Sequence, residues 1–204
     1  MQEGWDVEGD ADAIYARTGF DPEEPPAIGR LCLALTGFPP ELAKIRNEGR
    51  CCRVGDDWRV FIRRGLPKER AVYITGHELA EWWFIHIGYC EHDVEERCDA
   101  LGAALVAPRR AFRRATEALG HSAKKLAAAF RAPEQLALLR IGEVTGRPVA
   151  LVRPTPIVRG DDFAWPTGPA LARALRRPPA SAHPVRVGGE WGMMASRAAW
   201  PVSA

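Results

Sequence analysis

The sequence predicts an α+β fold, with helices packed on a small mixed sheet and followed by a helical segment and a β-rich C-terminal tail. Three observations predict it. Residues 58–63 (WRVFIR) alternate, with Trp58, Val60 and Ile62 on one side and Arg59, Phe61 and Arg63 on the other, the pattern of a half-buried strand. Two helical patterns follow at 68–87 and 94–107. Residues 160–204 are then rich in Gly, Pro and Trp, as an irregular β or loop appendage is.

The elements read as follows. Residues 1–28 form an acidic and Pro-rich N-terminal segment in which 11–17 suit a short helix and DPEEPP a turn and linker. Residues 29–120 form the core. Its first piece, 29–36 (GRLCLALT), is apolar and fits a strand or a helix, and GFPPELAKI offers a helix start or a turn. After the 58–63 strand, Pro67 suits the first helical position and Gly88 stops the helix. The second helix carries an apolar stripe at Val94, Cys98, Leu101 and Leu105 and ends at Pro108. Residues 109–119 make a basic helix closed by Gly120. Residues 121–147 predict a helical hairpin, with Ser122 capping one helix and Pro133 opening the next. Its second helix carries one candidate base-reading cation, Arg140, so it reads as packing on the core and not as a DNA reader. Residues 148–204 are the tail, with RPVALVRPTPIV as a broken strand and Trp191 and Trp200 as anchors.

Composition narrows the classes of function. The chain has 204 residues, 47% of them apolar, and a net charge of +2, so bulk charge announces no nucleic-acid partner. Five cysteines with no CxxC pair, an acidic N-terminus and no membrane-length apolar run predict a cytoplasmic protein with reduced thiols.

The chemistry concentrates in TGHELAEWWFIHIG, residues 75–88. His77 and Glu81 stand four apart, about 40° around a helix axis, and so point to one side and can share a metal. Zinc accepts a carboxylate oxygen at much the same distance as an imidazole nitrogen, so Glu81 is a chemically legal ligand, although its charge makes the ion a weaker Lewis acid. Glu78, at the edge of the same face, can take a proton from an attacking water and return it to a leaving amine. The third ligand is expected from the next helix. Glu95 and Asp99 share a face there, Glu95 as ligand and Asp99 orienting His77 through its other ring nitrogen. Glu96 and His92 are rivals for the ligand position. His86 lies about 180° from His77. The apolar Trp82, Trp83, Phe84 and Ile85 place this helix centrally, and buried carboxylates need a partner. Tyr73, Tyr89 and His92 are candidates to stabilise a tetrahedral intermediate, and the sequence does not choose among them. Cys51 and Cys52 read as buried thiols.

Two blocks, WRVFIRRGLPKERAVYITGHELAEWW and EERCDALGAALVAPRRAF, resemble the ImmA/IrrE family of metallopeptidases over about a quarter of the chain, Trp58 to Phe112. The family pattern is an HELGH-like helix, an acidic residue, a small-residue-rich helix and an LLxP-like ending, which 105–108 (LVAP) matches. Asp99 falls where the family has Asn or Asp. The departure is Glu81 in place of the second histidine. The resemblance implies a zincin-like (gluzincin) core and a cytoplasmic, zinc-dependent endopeptidase that cleaves or inactivates a transcriptional repressor. It implies His77 as first ligand, Glu78 as general base and Glu95 as third ligand. It also implies that the strand before the helix takes an extended peptide by β-addition, here near Trp58, Val60 and Ile62. The alternative is a non-catalytic relative that binds a protein partner through the same groove.

Overall fold

The computed structural model describes residues 5–89, 94–145, 149–152, 183–187 and 190–196. Their order is α1 (Val7–Thr18), α2 (Ile28–Thr36), β1 (Glu41–Ala43), β2 (Gly49–Val54), β3 (Asp57–Arg63), α3 (Lys68–His86), α4 (Val94–Val106), α5 (Arg109–Leu119), α6 (Ala123–Phe130), α7 (Glu134–Thr145), β4 (Val149–Val152), β5 (His183–Val187) and β6 (Glu190–Ser196). The fold is α+β, rich in helix with a small mixed sheet. Among the described residues no helix is long and apolar enough to cross a membrane.

Residues 28–36 settle as helix. Ile28, Leu31 and Cys32 are buried at helical spacing, and Gly37 closes the end in the left-handed conformation, φ 81°. GFPPELAKI departs from its expectation of a helix start or turn. Two consecutive prolines hold the backbone extended, and Glu41–Ala43 then pairs parallel to β3. β2, to which the sequence reading assigned no element, forms an antiparallel hairpin with β3 across Gly55, φ 65°. The sheet order is β1-β3-β2. Val60 and Ile62 of β3 are buried, as the alternation requires. Pro67 stands just before α3 and not inside it.

The N-terminal segment holds the short helix expected of it, extended to Val7–Thr18. This α1 lies in the main core with Ile14 and Tyr15 fully buried. Trp83 Nε1 donates to Asp10 Oδ1 at 3.1 Å, and Tyr15 Oη donates to the Leu105 carbonyl at 2.6 Å. That second bond has a clear cause. Carbonyls in the last turn of a helix lack intrahelical partners, and Pro108 brings no N–H. The C-terminal carbonyls of α4 are therefore met by side chains from elsewhere, Leu105 by Tyr15 and Ala107 by Arg140 Nε at 3.0 Å. Tyr15→Phe removes a buried donor and leaves that carbonyl bare. It is expected to cost about 1–2 kcal/mol, read as a lower urea midpoint at unchanged slope.

The 121–147 hairpin closes on the same core, with the Phe112 and Phe130 rings 5.2 Å apart. Ser122 Oγ accepts from the Lys125 N–H as the cap of α6. Arg140 is not a surface cation. It is fully buried and its Nη1 donates to Glu8 and Glu143, each at 2.7 Å. In the tail, β4, β6 and β5 form a second, antiparallel sheet in that order. Trp191 lies in β6, while Trp200 and most of RRPPASAHP fall outside the described residues.

Candidate metal centre

The site is built where α3 and α4 touch, and two glycines set that contact. A Cβ on Gly76 would stand 2.8 Å from the Gly102 carbonyl oxygen, and one on Gly102 would stand 2.7 Å from the His77 nitrogen. Neither position admits a side chain, so the α4 backbone closes directly on the turn that carries His77. Asp99, one turn before Gly102, then meets the imidazole. Asp99 Oδ1 lies 3.0 Å from His77 Nδ1 and also accepts from Tyr73 Oη at 2.6 Å. Tyr73 stands one helical turn before His77, the spacing that puts both side chains on one face. His77 Nε2 faces Glu95 Oε2 across 3.5 Å. Burial opposes a charged His77 ring, but the Asp99 hydrogen bond and the Glu78, Asp99 and Glu95 carboxylates outweigh it and hold its pKa above the ordinary value.

Glu78 forms the floor. It is 5% exposed, and its Oε2 is buried without a hydrogen-bond partner. β2 crosses it closely. A Cβ on Gly49 would overlap Glu78 Oε1 and Ile74 Cγ2, so any larger residue there would have to displace these side chains, and the Cys51 backbone N–H bonds the carboxyl. Burial, then the neighbouring Glu81 carboxylate, pushes the Glu78 pKa up to about 8. Cys51 and Cys98 border the same acidic group. Burial first and Glu81 second push both thiols up, Cys98 to about 12, so neither is an activated nucleophile.

His77, Glu78, Glu81, Glu95 and Asp99 all line one cleft of about 1090 Å³. Among the described residues, no group of three or more His, Cys, Asp or Glu side chains is gathered to hold a metal ion. Two donors nonetheless match one. Zinc–ligand bonds near 2.0–2.2 Å put two tetrahedral donors roughly 3.4 Å apart, and His77 Nε2 and Glu95 Oε2 are 3.5 Å apart. Glu81 lines the cleft but leans on Glu78, and must part from it to become the third donor. Glu96 is exposed, and His92 lies outside the described residues. His86 stacks on Trp82, ring centroids 5.0 Å apart, and meets Arg17 Nη1 at 3.2 Å. Tyr89 packs on Phe84, with its centroid 5.3 Å away, so of the two tyrosine candidates only Tyr73 lines the cleft.

The peptide-binding expectation changes place. Trp58, Val60 and Ile62 belong to the central strand, paired to β2 along its length and to β1 at residues 61–63, so β3 is no free edge. Gly49, Arg50, Cys51 and Cys52 of β2 line the cleft instead. β2 and the apolar wall made by Ala100, Ala103, Leu136 and Leu139 are the parts of the cleft not expected from the sequence. The Gly55-Asp56 pair before the 58–63 alternation was the available signal for the hairpin. The wall had no local signal.

No protein-family model matches the chain, and the curated proteins yield no match. Among solved structures, the chain is similar to a Mycobacterium tuberculosis transcriptional regulator, with a TM-score of 0.58 and 12% identity over 88% of this chain. The match spans 65% of that regulator's length. At this identity it is a likeness of fold.

Proposed function

We propose that this chain is a zinc-dependent endopeptidase with a zincin-like core, acting on a protein substrate. The observation that carries the reading is His77, fixed at Nδ1 by Asp99 and turned with Nε2 toward Glu95 above a buried Glu78. His77 and Glu95 would hold the ion, with Glu81 completing the set. A bound zinc ion supplies Lewis-acid polarisation of a scissile carbonyl and makes a water easier to deprotonate.

The chain's own residues divide the remaining work. Asp99 and Tyr73 fix the imidazole tautomer and orientation. Glu78, whose pKa burial and the Glu81 carboxylate push up to about 8, is in its ionised form a base strong enough to accept a proton from the attacking water, and its conjugate acid can return it to the leaving nitrogen. The outer side of β2 offers backbone groups for pairing with an extended peptide beside Glu78, the role first expected of β3. A transcriptional repressor is the substrate that the sequence resemblance implies, and the likeness of fold to a transcriptional regulator agrees with a role in gene regulation.

Two observations favour a second reading, a non-catalytic binder of the same partner: Glu81 sides with Glu78, and among the described residues no three donors are assembled. Metal analysis after dialysis against micromolar zinc separates the two. The peptidase reading expects about one equivalent in the wild type and loss of it in His77→Ala and Glu81→Ala, with folding retained. Zinc-free wild-type protein under these conditions would leave the binder standing.

A further inference from the structure

The cleft has two walls of different chemistry. His77, Glu78, Glu95 and Asp99 form the polar one. Ala100 and Ala103 of α4, with Pro133 just before α7 and Leu136 and Leu139 within it, form the other. Ala100 and Ala103 stand three apart on one helix face, and their single methyl groups leave a hollow that larger side chains would fill. Leu136 and Leu139 repeat that spacing across the gap. The wall is held in place from behind. Arg140, next to Leu139, donates from Nε to the Ala107 carbonyl at 3.0 Å and from Nη1 to Glu8 and Glu143, so α7 is tied to the ends of α4 and α1. An apolar recess that is already formed beside a polar centre is the usual construction of a selective ligand site.

We propose that this recess receives an aliphatic side chain, Val, Leu or Ile, of the substrate residue next to the bond to be cut, and that Ala100 and Leu139 set the size it accepts. The inference rests on the peptide-binding reading of the cleft given above. Charge narrows the occupant further. The lining holds six carboxyl side chains against two guanidinium groups, so an acidic side chain entering the recess meets repulsion as well as desolvation. The fitting partner is an extended polypeptide with a medium aliphatic residue and few acidic neighbours.

The test uses the full chain loaded with zinc and a library of capped decapeptides randomised at the central positions, with cleavage products sequenced by mass spectrometry. The wild type is expected to favour Val, Leu or Ile at one position flanking the cut and to reject Asp and Glu. Ala100→Leu, which fills the recess, is expected to shift that position to Gly or Ala, with about a tenfold or greater loss for Leu. Leu139→Ala, which widens it, is expected to admit Phe. Should Ala100→Leu fail to fold, Leu139→Ala carries the test alone. If the wild type cuts nothing, the same library is passed over immobilised protein and the retained peptides are sequenced. Aliphatic enrichment that Leu139→Ala broadens then supports the recess although the peptidase reading has failed. Cleavage or retention with no aliphatic preference, a preference that neither variant changes, or a library neither cut nor retained overturns the proposal.

Discussion

Glu78→Gln is expected to lower peptide hydrolysis by about 10²–10⁴-fold while raising the stability of the metal-free protein at alkaline pH. Both effects come from one buried carboxyl. Glu78 is held under β2 against Gly49, with Oε2 unpartnered and Glu81 beside it, and its pKa is pushed up to about 8 from an ordinary 4.5. The folded state therefore favours the protonated form. Its contribution to stability is fully present below about pH 4.5, falls as pH rises through the interval, and is lost above about pH 8. Glutamine keeps the size and the neutral charge of the protonated acid but cannot take up a proton. The variant should weaken less in urea between pH 5 and pH 9 than the wild type does in EDTA, the slope that remains coming in part from His77, whose raised pKa gives a stability lost as pH rises. Its zinc content should match the wild type, because Glu78 is not a proposed ligand. Hydrolysis at the wild-type rate would remove Glu78 as the base. Parallel pH curves for the two proteins would remove it as the source of the alkaline instability. A site that destabilises its own fold in this way is what a functional carboxyl produces, since its pKa is set by the same burial.

What could be read in advance divides by range. Helices α3 to α7 carry their punctuation locally, in Gly88, Pro108, Gly120, Ser122 and Pro133, and their bounds follow from it. β1 is three residues long and exists because β3, some twenty positions later, pairs with it. Alternation shows that Trp58–Arg63 is a half-buried strand but not that it is the middle one, since sheet order depends on partners that periodicity does not describe. The site divides in the same way. Helical spacing puts His77 with Glu81 and Glu95 with Asp99 on shared faces. It does not show that Gly76 and Gly102 lock the two helices at His77, or that Glu81 turns to Glu78. Arg140 marks the same limit: the hairpin reads as packing on the core, but its spacing does not show what the arginine itself does. From its helix alone it looks like a lone accessible cation, whereas its partner Glu8 is 132 positions away.

Arg140→Met is accordingly expected to cost about 3–5 kcal/mol, the typical penalty for removing one member of a buried ion pair. Arg140 is fully buried, and burial alone would lower its pKa, but the Glu8 hydrogen bond and the Glu8 and Glu143 charges more than compensate and keep it a cation. Methionine matches the stem of the side chain and so isolates the loss of the guanidinium. What remains is the Glu8 side chain, 13% exposed, with only the longer and partly solvated Arg109 Nε contact at 3.7 Å in place of the Arg140 bond, and the Ala107 carbonyl without its donor. Adding Glu8→Gln removes the stranded charge and should return part of the loss, a coupling that a double-mutant cycle in urea measures directly. Glu143, 43% exposed, can be hydrated in place, so Glu143→Gln should cost less than about 1 kcal/mol. A DNA-reading arginine would show the opposite pattern, with unfolding unchanged and affinity for DNA lost. The cycle thus distinguishes a bolt between α1, α4 and α7 from a surface cation. If Arg140→Met unfolds within about 1 kcal/mol of the wild type, α7 is held by its apolar face alone, and the wall carrying Leu136 and Leu139 is less firmly fixed than its hydrogen bonds indicate.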